Sequence, residues 1–221
     1  MSAVLAILWK DAVSESRGLE RLSTLGLFSA AVLLTLNFSV DPESPARRGA
    51  AAGFLWACLM LAAMLELRRG VEAERRDGTL DALRAAPVDP AALYLGKLLS
   101  ALAALGLLSC AVVPPAVLLA TGSLARTPAA IGVVLAGLVG LLAWGTLLAA
   151  ATSGTASGEL VLPVLLFPLV VPQTIACVRL LGHILGATTL DSPATGLLIL
   201  GAFDVIALGT GLLLFDYAVR E

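Results

Sequence analysis

The charged residues of this chain are gathered in one stretch that lies between long apolar runs. Twelve of the 30 Lys, Arg, Asp and Glu residues fall within residues 66–97. Such a stretch cannot lie in hydrocarbon, because each charged side chain at the centre of a bilayer costs about 2.5–3.5 kcal/mol on insertion scales. Residues 66–92 are therefore predicted to form a water-exposed connection at one face of a membrane.

The composition of the rest of the chain supports a membrane protein. Apolar residues make up 59% of the 221 residues, only 14% are charged, and the mean hydropathy is +0.97. A soluble domain is about half apolar and about a quarter charged. The net charge of −2 gives no indication of a nucleic-acid partner. We expect an all-α integral membrane protein formed by a single transmembrane domain.

Six apolar segments are long enough to cross the ~30 Å hydrocarbon layer as helices. The predicted spans are residues 22–40, 49–65, 93–120, 128–152, 160–181 and 196–215. Residues 2–21 precede them with apolar and basic residues on different sides of a helix, so this segment is predicted to lie along the membrane surface.

The positions of the basic residues predict the orientation. If the N-terminus is cytoplasmic, ten Lys and Arg residues adjoin the cytoplasmic face and four adjoin the outer face. Cytoplasmic segments normally carry the excess of positive charge. Both termini and the connection 66–92 are therefore predicted to be cytoplasmic.

Within this connection the sequence predicts a docking element. Asp77 and Gly78 form a turn signal, and residues 79–86 read as a short helix that carries Leu80 and Leu83 on one side. Proline at positions 87 and 90 ends the helix, since proline lacks the backbone donor and clashes with the preceding turn. Two leucines rimmed by Glu74, Arg75 and Asp77 suit contact with a soluble partner.

Three spans carry candidate functional features. Asp204 lies near the middle of the sixth span, where a carboxylate should face protein, another charge or water. Its role is either functional or that of a hydrogen-bonded packing residue. Pro163, Pro168 and Pro172 predict a bent or broken fifth helix, which either lines a cavity or is only kinked.

The fourth span places small residues four apart, at Gly132, Ala136 and Gly140. Small residues at this spacing let helices approach closely in lipid. The alternative is the ordinary glycine and alanine usage of an alanine-rich chain.

Catalytic motifs are missing from the sequence. It contains no phosphate-binding Gly-x-x-x-x-Gly-Lys-Ser/Thr loop, no zinc-binding pattern and no nucleophile elbow. The single histidine, His183, is predicted in an outer loop, 182–195, and no metal site is expected. If the protein uses ATP, another chain must bind it.

The connection resembles the coupling segment of ABC-2-type transporter permeases. Residues 74–83 read ERRDGTLDAL and Pro87 follows; such permeases show E-x-E/D-x-G-T-L-E-x-L and then a proline. Asp81 stands where the glutamate is usual. The resemblance implies an ATPase-coupling role for six residues: Glu74, Arg75, Asp77, Gly78, Leu80 and Leu83.

A narrower resemblance is to the heme exporter protein B family, CcmB. Five blocks carry it in order: LWKD at 8–11, APVD at 86–89, YLGKLL at 94–99, LPVLLFPLVVP at 162–172 and FDVI at 203–206. The resemblance runs from residue 8 to the end of the chain. Residues 179–193 contribute nothing to it.

The resemblance implies a non-enzymatic permease subunit for cytochrome c maturation in the bacterial inner membrane. Its implied partners are an ABC ATPase, a heme-handling membrane subunit and a second permease copy or related permease. Heme export and release of a heme-loaded chaperone both remain open. We expect this chain alone to bind no heme, with ATP held by the ATPase. The alternatives are a generic ABC-2 permease for lipid or drug, and a non-transporting assembly scaffold.

Overall fold

All regular structure in the described part of the chain is α-helical. The computed structural model describes residues 18–41, 44, 46–76, 89–152, 158–190 and 192–220. Its helices are α1 (Gly18–Phe38), α2 (Arg47–Arg76), α3 (Pro90–Thr121), α4 (Thr127–Thr152), α5 (Gly158–Leu185) and α6 (Pro193–Arg220). The prediction of an all-α protein is confirmed for these residues.

Five of the helices are long and apolar enough to cross a membrane. They are α2 to α6, each with a suitable stretch of 24 to 32 residues. In α1 the apolar part is shorter, Thr24–Thr35. The chain is therefore a multi-pass membrane protein, and a crossing by α1 stays a prediction. The predicted surface helix 2–21 lies outside the described residues except for 18–21, which belong to α1.

The ends of two helices differ from the predicted spans. The second span was predicted to end at residue 65, but α2 continues to Arg76. Glu66 and Leu67 are still buried, with 3% and 6% of their surface exposed, because α2 packs against α4 at this level. α5 likewise extends to Leu185, so the connection to α6 is shorter than the predicted loop 182–195.

α3 has clear signals at both ends and does not break in between. The Asp89 side chain accepts a hydrogen bond from the Ala91 amide at 3.0 Å, and Pro90 occupies the first turn. Gly122 ends the helix with a φ of 72°, a left-handed conformation that favours glycine. The helix runs without interruption through Pro114 and Pro115.

α4 is the central helix, in contact with α2, α3, α5 and α6. Neighbouring side chains lie directly against its buried glycines. A Cβ on Gly137 would collide with Cys177 and with the Trp56 ring, and a Cβ on Gly145 would collide with Leu67. Side chains of α2 and α5 thus occupy the space that a side chain larger than hydrogen at position 137 or 145 would need.

The predicted small-residue face of α4 is wrong in part. Gly140 does lie at a close contact, but a Cβ on Gly132 would meet nothing within 4 Å. The contact face runs through Gly137, Gly140 and Gly145 instead. α4 is apolar on all sides, so periodicity within the helix could not define which glycines face a neighbour.

Gly137→Ala is expected to destabilise the protein by about 1–3 kcal/mol, the usual effect of overpacking a filled interior. Gly132→Ala is the matched control, because it makes the same change on the same helix where there is open space. The free energy of unfolding in detergent measures both. Equal stability of the two variants would contradict the close packing at Gly137.

Candidate functional site

A polar cluster joins the middle of α6 to α4 and α5. Asp204 is half-buried on α6, and its Oδ1 atom accepts a hydrogen bond from Gln173 Nε2 at 3.1 Å. The same Nε2 donates to the backbone carbonyl of Gly137 on α4 at 2.7 Å. One fully buried amide therefore bridges three helices. The expectation that Asp204 faces protein agrees with this geometry, while its functional role stays a prediction.

The glycine at position 140 makes room for the cluster. A Cβ there would collide with Asp204 Oδ1 and would lie 2.5 Å from Gln173 Nε2. Any side chain at position 140 would therefore displace the carboxylate, the amide or both. The α4 backbone is in effect one wall of the site.

The amide of Gln173 has only one workable orientation. Both of its Nε2 partners, the Gly137 carbonyl and the Asp204 carboxylate, are acceptors. Exchanging the oxygen and nitrogen of the amide would place its oxygen against both. In the orientation observed, Gln173 Oε1 is buried and lacks a donor among the described residues. A buried polar atom without a partner costs about 1–3 kcal/mol, so this site holds polarity at the expense of stability.

A second polar contact lies one residue further along α5. Trp56 Nε1 on α2 donates to Thr174 Oγ1 at 3.3 Å, and Thr174 Oγ1 lies 3.8 Å from Met60 Sδ. Gln173 thus connects α5 to α4 and α6, and Thr174 connects α5 to α2. A shift of α5 would change the contacts of both α2 and α6.

The three prolines of α5 do not break it. α5 runs without interruption from Gly158 to Leu185 through Pro163, Pro168 and Pro172. The prediction was a bent or broken helix. A break does not occur, because packing against neighbouring helices can hold a membrane helix together where proline removes a hydrogen bond, and a bend stays a prediction. Pro168 and Pro172 have exposed side chains, whereas the buried side of α5 carries Gln173. Pro168 and Pro172 therefore take no part in the polar cluster, and a functional role for the three prolines stays a prediction.

The predicted ATPase-coupling residues are remote in sequence from this cluster. Glu74 and Arg75 belong to the last turns of α2. Asp77, Gly78, Leu80 and Leu83 lie outside the described residues. Their coupling role stays a prediction.

The potential heme ligands are scattered. His183 lies in the last turn of α5 rather than in a loop, so that prediction is wrong. Its Nδ1 atom lies 3.3 Å from the Thr188 carbonyl and 3.4 Å from the Leu190 amide. Cys58 and Cys177 are buried. Among the described residues, His, Cys, Asp and Glu form no group of three that could hold a metal ion.

Sequence reasoning missed Gln173 and Gly137. A glutamine carries no charge, so Gln173 gives a weaker sequence signal within an apolar span than the ionisable Asp204 does. The available signal was its position directly after Pro172, as a polar residue within an apolar run. Gly137 carried no signal, because its carbonyl takes part rather than a side chain.

Comparison with known proteins agrees with the resemblance predicted from the sequence. The CcmB protein family matches residues 2–221, nearly the entire chain. Heme exporter protein B of Rhodobacter capsulatus is 35% identical over 153 residues, which cover 68% of this chain and 70% of that protein. Two separate comparisons thus lead to the same family. The chain belongs to the CcmB family.

Proposed function

We propose that this chain is the permease subunit of an ABC transporter that acts in cytochrome c maturation. The observation that carries the proposal is the family match over residues 2–221, together with a relative named for heme export. The multi-pass helical bundle is the architecture that such a subunit needs. Because the sequence has no phosphate-binding loop of the Gly-x-x-x-x-Gly-Lys-Ser/Thr kind, the proposal places ATP binding on a separate subunit.

The proposed mechanism couples ATP hydrolysis to movement of the helices. The ATPase docks on residues 74–83 at the cytoplasmic face of the bacterial inner membrane, where both termini also lie. Two permease subunits, either two copies or this chain with a related one, complete the transporter. Movement of the bundle then either exports heme or releases a heme-loaded chaperone from a heme-handling membrane subunit.

Such movement of the helices would break hydrogen bonds in the polar cluster. Gln173 donates to groups on two other helices. If α4 and α6 separate, one of these two hydrogen bonds is lost and a polar group is left in an apolar interior. The cluster therefore favours one packing of the three helices over others.

Co-purification tests the proposed function. A tagged chain is cross-linked in its native membranes, purified, and its neighbours are identified by mass spectrometry. We expect an ABC ATPase and a heme-handling membrane protein. An ATPase found with a lipid or drug transport partner would favour a generic permease. Maturation that continues when the ATPase cannot hydrolyse ATP would favour a scaffold.

The purified chain is expected to bind heme poorly. The only histidine has its Nδ1 atom beside the backbone of residues 188 and 190. Cys58 and Cys177 are buried, and the exposed Cys110 lies on α3, a different helix from His183. Heme iron usually needs such ligands in a shaped pocket. Titration in detergent, followed through the Soret band, measures binding. A saturable band of fixed stoichiometry that disappears in His183→Ala would overturn this prediction.

A further inference from the structure

Residues near both ends of the coupling connection, 66–92, contact the same turn of α4. On the α2 side, Leu67 packs against Gly145, where a Cβ would collide with it. On the α3 side, the Tyr94 hydroxyl donates to the Ala143 carbonyl at 3.2 Å. The two contacts are two residues apart on α4, although the side chains that make them come from opposite sides of residues 77–88.

Tyr94 also connects α3 to the end of α6. Its side chain is fully buried, and its ring centroid lies 5.3 Å from that of Phe215, with the planes tilted by 51°. A Cβ on Gly211 would collide with the Tyr94 hydroxyl and ring. The ring therefore fills a notch in α6 that only glycine leaves open.

A further contact holds the same region one turn along α3. Lys97 Nζ lies 5.9 Å from the centroid of the Phe215 ring, within the range of a cation–π interaction. Phe215 is thus held by a buried aromatic ring and by a cation from the same helix. These contacts tie the first two turns of α3 to the end of α6.

The start of α3 is held by its own capping contacts. Asp89 caps the helix and Pro90 fixes the backbone of its first turn. Tyr94 lies only one turn later. Because a closely packed interior has little free space, a displacement of this end of α3 cannot be absorbed locally.

We infer that Tyr94 is the positioning residue that passes movement of the coupling connection to α4 and α6. This inference rests on the proposed function, since it needs an ATPase acting on the connection. α4 continues the path, because Gly140, which lies against Asp204, is three residues from Ala143. Tyr94 thus links the connection to the polar cluster through α4 and to the end of α6 directly.

Variants at two positions test the inference in the complex of the full chain with its co-purified ATPase. Tyr94→Leu removes the ring, and Tyr94→Phe removes only the hydroxyl. Gly211→Ala fills the notch from the other side. Tyr217→Leu is the matched control, because it makes the same change on α6 at a side chain that is 71% exposed.

We expect Tyr94→Leu and Gly211→Ala to retain ATPase binding, with hydrolysis within about twofold of the unmodified complex, while maturation per ATP falls about tenfold or more. Tyr94→Phe should lose less, because it keeps the ring in its notch. Tyr94→Leu and Gly211→Ala should also lower the melting temperature, because the first empties and the second overfills a packed interior. A purely structural role would lower ATPase binding and maturation in the same proportion. The control should match the unmodified chain throughout.

Spin labels at residues 92 and 217 measure the movement itself, on a background in which the exposed Cys110 is serine. The labels are attached through Ala92→Cys and Tyr217→Cys. With Tyr94 present, the distance between the labels should change on ATP binding, and the change should differ in Tyr94→Leu. If Tyr94→Leu does not fold, Tyr94→Phe decides by the same measurements.

The inference is overturned if folded Tyr94 variants keep the normal maturation per ATP and the normal change in distance. A wild-type complex without an ATPase, or with maturation independent of ATP, would instead refute the proposed function. The two failures are therefore distinguishable.

Discussion

Leu83→Asp is expected to abolish association with the ATPase while leaving membrane insertion intact. Buried apolar anchors carry most of the energy of a protein interface, and rim charges carry little. A carboxylate in place of an anchor leucine would be buried without a partner, which costs several kcal/mol and lowers affinity by a factor of 100 or more, as an order of magnitude. Co-purification of the ATPase with the tagged variant measures the effect.

Leu124→Asp is the matched control for this variant. Leu124 is 53% exposed in the turn between α3 and α4, at the opposite end of α3 from the connection. The same substitution there should leave ATPase association unchanged. Normal co-purification of the ATPase by Leu83→Asp would remove Leu83 from the docking site.

Asp204→Asn is expected to preserve expression and assembly but to lower cytochrome c maturation about tenfold. The asparagine oxygen can still accept the hydrogen bond from Gln173, so the three-helix bridge is kept. The charge is lost, and a hydrogen bond to a charged group is about 1 kcal/mol stronger than a neutral one. Maturation, normalised to the amount of assembled complex, measures the effect.

Asp216→Asn serves as the control, since it removes a carboxylate from the same helix near its end. It should lower maturation less than Asp204→Asn does, because Asp216 lies outside the cluster formed by Asp204 and Gln173. Full maturation by Asp204→Asn would leave only a packing role for Asp204. Loss of assembly in that variant would contradict the prediction and would assign the carboxylate to holding the complex together.

The parts of the structure that depend on strong local signals could be predicted from sequence. The long apolar runs required helices. The start of α3 at Pro90, after the capping residue Asp89, was not predicted, because Pro90 was interpreted only as the end of the preceding helix and the span was predicted from residue 93. Asp204 could be identified because an ionisable residue in an apolar span is costly and so needs a partner.

The identity of that partner could not be predicted. Gln173 lies on a different helix, 31 residues away, and which side of α5 faces α6 depends on the packing of the whole bundle. The same limit applies to α4, where Gly137 rather than Gly132 meets its neighbours. α2 continues past residue 65, the predicted end of the second span. In the sequence Glu66 reads as water-exposed, whereas its neighbours in the folded chain bury it.

α2 is longer than a membrane crossing requires. Its 30 residues extend about 45 Å, well beyond the ~30 Å hydrocarbon layer. Leu67 against Gly145 and Trp56 against Gly137 attach this rod to α4 at two levels, about 16 Å apart along the helix. A displacement of the Arg76 end beside the connection could therefore not tilt α2 alone, and α4 would move with it.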